Sequence, residues 1–394
     1  MLDRGLLLAL LLVLAATGVA AQQPQPAKDP APAKDDKPAL DTKADDAPLF
    51  RWRVGASVGV SYGALLADPK ADRSLPEEGI VGEFSLSGRV THRDSGLSAN
   101  FGVCWGCHGI ELEQATLEWK PVPLLLVKAG RLNVAASTHD SRHGFNTRAT
   151  ISKPLTRSMG NMVRQQEFNL GVLPSPYIDN GASVGLNFDM GIAGMSLEAM
   201  VLKGFKGTGE DIDFLKSREY FDNNGEPSFG ARLEFSVPLL TLNFAYLWGN
   251  YDTEARRSYQ FASANLRLVL GPVTLEGEFA WRQTQYTRAG SPGGEDQWWK
   301  YGWWAQVDWQ VFDGLHLTGV LDALYVKDIY LADFGPTSNA AVALTDNNNR
   351  IVRAILGVSY TAWGGILIRL NAEFWDFSDF NDAWVIQGGL GWAF

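Results

Sequence analysis

An all-β fold is predicted: a transmembrane antiparallel β-barrel of sixteen strands, with a long third outer loop folded into the lumen. Three observations predict it. From Arg51 onward, apolar and polar residues alternate with period two in segments of about ten residues. The connections between segments are tight and long by turns, as in barrels with short turns on one side of the membrane and loops on the other. Mean hydropathy is −0.09. A barrel mixes a lipid face with a wet face and averages near neutral, whereas a bundle of membrane helices would be far more apolar.

The elements follow in order. Met1 to Arg4, the Leu-rich run Leu6 to Ala16 and the small residues Val19-Ala-Ala21 read as a secretory signal peptide over 1–21. Residues 22–49 are Pro, Ala, Lys, Asp and Gln with almost nothing apolar, so they predict a disordered periplasmic linker. The barrel is expected over 50–394. In its first strand Trp52, Val54, Ala56, Val58, Val60 and Tyr62 share one face, and Arg51, Arg53, Gly55, Ser57, Gly59 and Ser61 the other.

Tight turns are expected at 93–96, 121–123, 191–194, 238–239, 271–272, 312–314 and 363–365. Loops are expected at 66–79, 104–109, 133–180, 206–225, 253–257, 288–297, 328–349 and 379–382. Together they join sixteen strands with both barrel ends on the turn side. Trp298, Trp299, Trp363, Trp384, Trp392, Tyr286 and Tyr325 fall near strand ends, where amphipathic rings form interfacial girdles. A formal charge of −10 excludes nucleic acid as a natural partner.

The wet parity carries charge. Arg89, Lys120, Lys128, Arg232, Arg267, Arg282, Lys300, Arg353 and Arg369 are assigned inward. Facing them are Glu83, Glu118, Glu198, Glu234, Glu276, Glu278, Asp308, Asp322 and Glu373. A basic group turned to lipid at the midplane would cost about 2–4 kcal/mol, so alternation forces these into the lumen. Both signs there imply a water-filled channel with a transverse field.

The longest loop, 133–180, carries Arg142, His143, Arg148, Lys153, Arg157 and Arg164 as candidates for a pore constriction. With His neutral, its five Lys and Arg outnumber Asp140, Glu167 and Asp179, which leans toward anions.

The chain ends Trp384-Val-Ile-Gln-Gly-Gly-Leu-Gly-Trp-Ala-Phe394, with one aromatic-tipped apolar face. This resembles the closing strand of bacterial outer-membrane barrels, which implies that Phe394 is read by the barrel-assembly machinery. Ile110-Glu-Leu-Glu-Gln-Ala-Thr-Leu-Glu-Trp-Lys-Pro121 with Val127-Lys-Ala-Gly-Arg131, and the run from Arg164 through Asn169-Leu-Gly-Val172 to Asp189, resemble the phosphate-selective porins. The resemblance implies a homotrimeric, anion-leaning diffusion channel in the outer membrane. Its partners would be the lipid bilayer, lipopolysaccharide and small solutes or anions. Acids interleave with the basic residues here, so phosphate selectivity itself is not implied.

Cys104-Trp-Gly-Cys107-His108 matches the c-type haem attachment pattern and holds both cysteines of the chain. Against haem stands the short hairpin loop expected there. A disulfide between Cys104 and Cys107 is the favoured reading, with a free or metal-binding pair also open. Two functions from different classes follow. One is a passive channel without a cofactor; the alternative is a porin-cytochrome electron conduit with haem on Cys104, Cys107 and His108. No Ser/His/Asp constellation points to an enzyme.

Overall fold

The computed structural model describes residues 49–66, 78–106, 109–134, 136–137, 140, 144–157, 171–207, 211–287, 295–327, 348–378 and 382–393. The signal peptide expected over 1–21, the linker expected over 22–49 apart from its last residue, and Phe394 lie outside the described residues.

Period-two alternation becomes sixteen antiparallel strands: β1 Phe50–Leu66, β2 Glu78–His92, β3 Leu97–Gly106, β4 Gly109–Val122, β5 Leu125–Asn133, β6 Ile178–Asp189, β7 Gly194–Leu202 and β8 Ser228–Val237. The second half comprises β9 Leu240–Asn250, β10 Ser258–Leu270, β11 Val273–Thr287, β12 Glu295–Phe312, β13 Leu315–Lys327, β14 Asn348–Thr361, β15 Ile366–Phe377 and β16 Ala383–Ala393. Each pairs with its sequence neighbours, and β1 pairs with β16 from Ser57↔Ala393 to Leu66↔Trp384, so the sheet closes. Closure leaves no free edge and satisfies the ladder internally, as a hydrocarbon surround requires. Among the described residues no helix is long and apolar enough to cross a membrane.

The expected turns form at or within a residue or two of their predicted places. Gly96, Gly191, Gly271, Gly314 and Gly364 adopt positive φ in them, a conformation that glycine enters without a Cβ clash. The connection expected at 104–109 is shorter than predicted. β3 runs on to Gly106 and pairs it with Gly109, leaving two residues between strands. Likewise β4 runs on to Val122, so its turn is Pro123–Leu124.

The outward parity is apolar and exposed: Trp52, Val54, Val58, Val60 and Tyr62 on β1, and Trp384, Ile386, Leu390 and Trp392 on β16. Trp363 and Trp392 sit at the turn end, Trp105 and Trp384 at the loop end, all exposed. Tyr325 stacks on Tyr301 across β12 and β13, with centroids 5.0 Å apart. Among the described residues, two tryptophans break the pattern. Trp304 and Trp375 point inward and are buried.

The apolar core lies inside the barrel. Val134, Ala136, Leu155, Val172 and Leu173 of the third loop and Phe205, Ile212 and Phe214 of the connection after β7 pack together there. They meet Leu202, Leu247, Tyr259, Phe261, Ala280, Leu324, Ile351, Trp375 and Val385 from β7, β9–β11 and β13–β16. Among the described residues, none from β1–β4 joins this cluster. The core fills the lumen against β7–β16 and takes no described residue from β1–β4, where the third loop instead touches β1 at Gly59 and β2 at Glu83.

Candidate functional site

The third loop crosses the lumen and is tied to the wall at many points. Its start leans on β10, where Ser263 Oγ donates to Ala136 O at 2.6 Å. Its middle reaches β1 and β16. The Phe145 ring lies where Gly59 and Gly389 carry no side chain; a Cβ at Gly389 would sit 2.8 Å from it. Asn146 Nδ2 donates to Trp392 O at 2.9 Å and, more weakly, to Val58 O at 3.4 Å. Ser152 Oγ donates to Gln387 Oε1 at 3.1 Å. The loop then returns along β13 and β14. Leu155 N donates to Asp322 Oδ2 at 3.0 Å, and Arg353 Nη2 to Lys153 O at 2.6 Å. Arg369 donates to the carbonyls of Phe145 and Arg148.

The described basic side chains of the loop have partners. Arg148 pairs with Glu83 of β2 at 2.7 Å. Lys153 Nζ donates to Ser175 O at 2.9 Å. Arg157 pairs with Glu278 of β11 at 3.1 Å and with Asp140 at 3.7 Å, all three buried. Burial acts to lower the Arg157 pKa, but the Asp140 and Glu278 charges outweigh it and hold it above the ordinary value. Burial, then the Arg148 charge, pushes the Lys153 pKa down. Arg142, His143 and Arg164 lie outside the described residues.

The wall charges divide into two groups. Under the loop, Arg353 binds Asp322 at 2.5 Å and Glu373 at 3.7 Å, and all three are buried. Arg282 and Lys300 are buried near Asp211, which burial pushes up in pKa against the pull of both cations. Toward the turn side the charges are wetter. Arg89 (49% exposed) pairs with Glu118 at 3.0 Å, and Arg267 (42%) with Glu276 at 2.8 Å. Lys128 and Arg232 share Glu198 at 2.9 and 3.3 Å. Glu234 points inward beside them from β8. His316 Nδ1 lies 2.8 Å from Asp308, which also accepts from Thr318. A cleft of about 910 Å³ opens at the turn-side rim, lined in part by Lys120, Asn187, Asp189 and Ser236.

Along β1–β4 the loop side presents Glu83, Arg148 and the Arg218–Glu111 pair at 2.9 Å. The half-buried Cys104 pairs across the ladder with Ser85 and Glu111 and has no disulfide partner among the described residues. Cys107 and His108 lie outside the described residues. No cluster of metal-ligating side chains occurs among the described residues.

Sequence reasoning missed the seat of the loop: Phe145 and Asn146 against Gly59, Gly389 and Gly391. The available signal was glycine at wet-parity positions of two strands, since glycine inside a strand marks close approach of another group.

No protein-family model matches the chain, and no curated protein matches it in sequence. Solved structures do match in fold. The outer membrane channel DcaP of Acinetobacter baumannii is 11% identical, with a TM-score of 0.58 over 88% of this chain and 97% of that one. An anion-selective porin from Comamonas acidovorans is 12% identical, with a TM-score of 0.56 over 88% and 100%. OmpT, an outer membrane protein of Vibrio cholerae, is 10% identical, with a TM-score of 0.51 over 88% and 99%. The likeness spans the barrel from end to end, and this chain has the fold of outer-membrane porins.

Proposed function

We propose that the chain is an outer-membrane porin, a passive diffusion channel for small hydrophilic solutes and ions with a preference for anions. The observation that carries this reading is the closed sixteen-strand barrel whose inward parity holds charged side chains, wettest toward the turn side, with the apolar core confined to one arc. Charges of both signs line the inward face there, so a solute moving past them stays hydrated and meets a transverse field. Arg148 and Arg157 of the loop are buried in their pairs, whereas Arg89 and Arg267 stay half-exposed in theirs, so the preference rests on such wall cations. It is supported by the anion-selective porin among the structural neighbours.

The same reading makes the chain non-enzymatic and free of a resident cofactor, with no haem on Cys104 and Cys107. It assigns a homotrimer, as in the trimer form described for OmpT of Vibrio cholerae. It assigns lipid and lipopolysaccharide as surroundings, and Phe394 as the assembly signal. The reversal potential of single channels in a planar bilayer under a KCl gradient tests the preference. Chloride permeating ahead of potassium is expected, and a cation-selective channel would sink it. A flat reduced-minus-oxidised visible spectrum is expected; sharp haem bands would move the chain to electron transfer.

A further inference from the structure

We propose that Arg51 and Arg53 of β1, with Arg89 of β2 beside them, form an oxyanion-binding site at the turn-side mouth of the lumen. The proposal rests on the porin reading and locates its anion preference at the mouth, not in the third loop.

Register places the groups. Gly59 faces inward, since the Phe145 ring lies against it, and β1 pairs with β2 without a shift from Phe50 to Ala64. Arg51 and Arg53 therefore share the inward parity. Arg53 is the direct cross-strand partner of Arg89. Like charges placed opposite each other in a ladder repel. Glu118 and Ser98, each 3.0 Å from Arg89, relieve only that side. Arg51 and Arg53 are exposed, and neither has a hydrogen bond or ion pair to any described residue. Among the described residues, no strand pairs with them on their other flank either. The pairing of β1 with β16 begins at Ser57↔Ala393, so both arginines lie beyond it.

The position suits a passing solute. Arg53 precedes Gly59 by six residues, about 20 Å along the strand at ~3.3 Å per residue, on the turn side of the loop's seat. It lies on the β1–β4 arc, from which the apolar core takes no described residue. Lys120 of β4 adds a further cation at the same rim. Glu118 is the acid among them, already held by Arg89. Guanidinium forks match the oxygens of phosphate, sulfate or carboxylate two at a time, whereas chloride gains only the charge. The ligand class is thus a small oxyanion.

The test uses single channels of the full chain in planar bilayers. Inorganic phosphate or sulfate is added to each compartment in turn, with equal chloride as control. The expected result is a drop in conductance from one compartment only, absent in the Arg51→Gln/Arg53→Gln variant. The variant's chloride-over-potassium permeability should also fall by about twofold or more. Arg53→Lys keeps the charge and loses the fork, so it should retain selectivity while block weakens. Native-like heat-modifiable mobility shows that each variant has folded. Equal block from both compartments, or block unchanged in the double variant, overturns the site. An anion-selective channel with an indifferent double variant would sink the site and leave the porin reading standing. A cation-selective channel still blocked through Arg53 would do the reverse.

Discussion

At the scale of single residues, the third loop depends on buried charge. Arg157, Asp140 and Glu278 form a dry cluster, and removing Arg157 takes a buried cation away from both acids. Arg157→Ala is expected to destabilise the seated loop by about 3–5 kcal/mol. The cut should show as faster protease cleavage within 144–157 while the barrel stays resistant. Replacing Arg157 and Glu278 together by Leu should cost less than Arg157→Ala alone; a larger cost would refute the argument. Lys153 gives a pH dependence. Its folded pKa lies below the ordinary 10.5, burial being the main cause, so its charge opposes seating. The penalty holds below the folded pKa and vanishes as pH rises through it toward the unfolded value. Protection of the loop from protease should therefore rise with pH up to the ordinary value of 10.5, and Lys153→Met should flatten that rise. Residue types were legible here but partners were not. Arg148 and Arg157 read as pore charges in the sequence because nothing in it shows that Glu83 and Glu278 neutralise them.

At the scale of elements, the strands were legible because parity is enforced by the cost of turning charge to lipid. The turns were legible through glycines that reach positive φ. The connection after β3 was not. The spacing of Cys104, Cys107 and His108 drew attention as a motif, although Val103 and Trp105 carry the outward alternation on to Gly106. A bulge between Gly102 and Val103 further hid the register, since it slips the facing strand by one residue. The loop's path was hidden for a different reason: it depends on non-local contacts with strands far away in sequence. Gly59→Val tests that path. Its side chain needs the space held by Phe145, so overpacking of about 1–3 kcal/mol should unseat the loop. Single-channel conductance is expected to rise, and unchanged conductance would mean that the loop does not narrow the passage.

At the scale of the whole molecule, the barrel separates two media. Outside, exposed apolar side chains meet lipid; inside, one arc is packed like a soluble domain and the other is polar. Selectivity arising from half-exposed cations along the polar arc must be screened by salt. The screening length falls from about 10 Å at 0.1 M to about 3 Å at 1 M. The chloride preference should therefore shrink steadily over that range in reversal-potential measurements. A preference independent of salt would point to a buried charge ring instead.

The Asn146 bridge bears on the order of assembly. Its amide reaches carbonyls of both Val58 and Trp392, the strands that emerge first and last from synthesis. A residue from the first half of the chain thus straddles the seam at which the cylinder shuts. It can engage both sides only after the final strand has docked, which makes loop seating a report on completed closure. Chains stalled with an open seam should expose 144–157 to protease, and the same segment should become protected at the moment the cylinder is sealed.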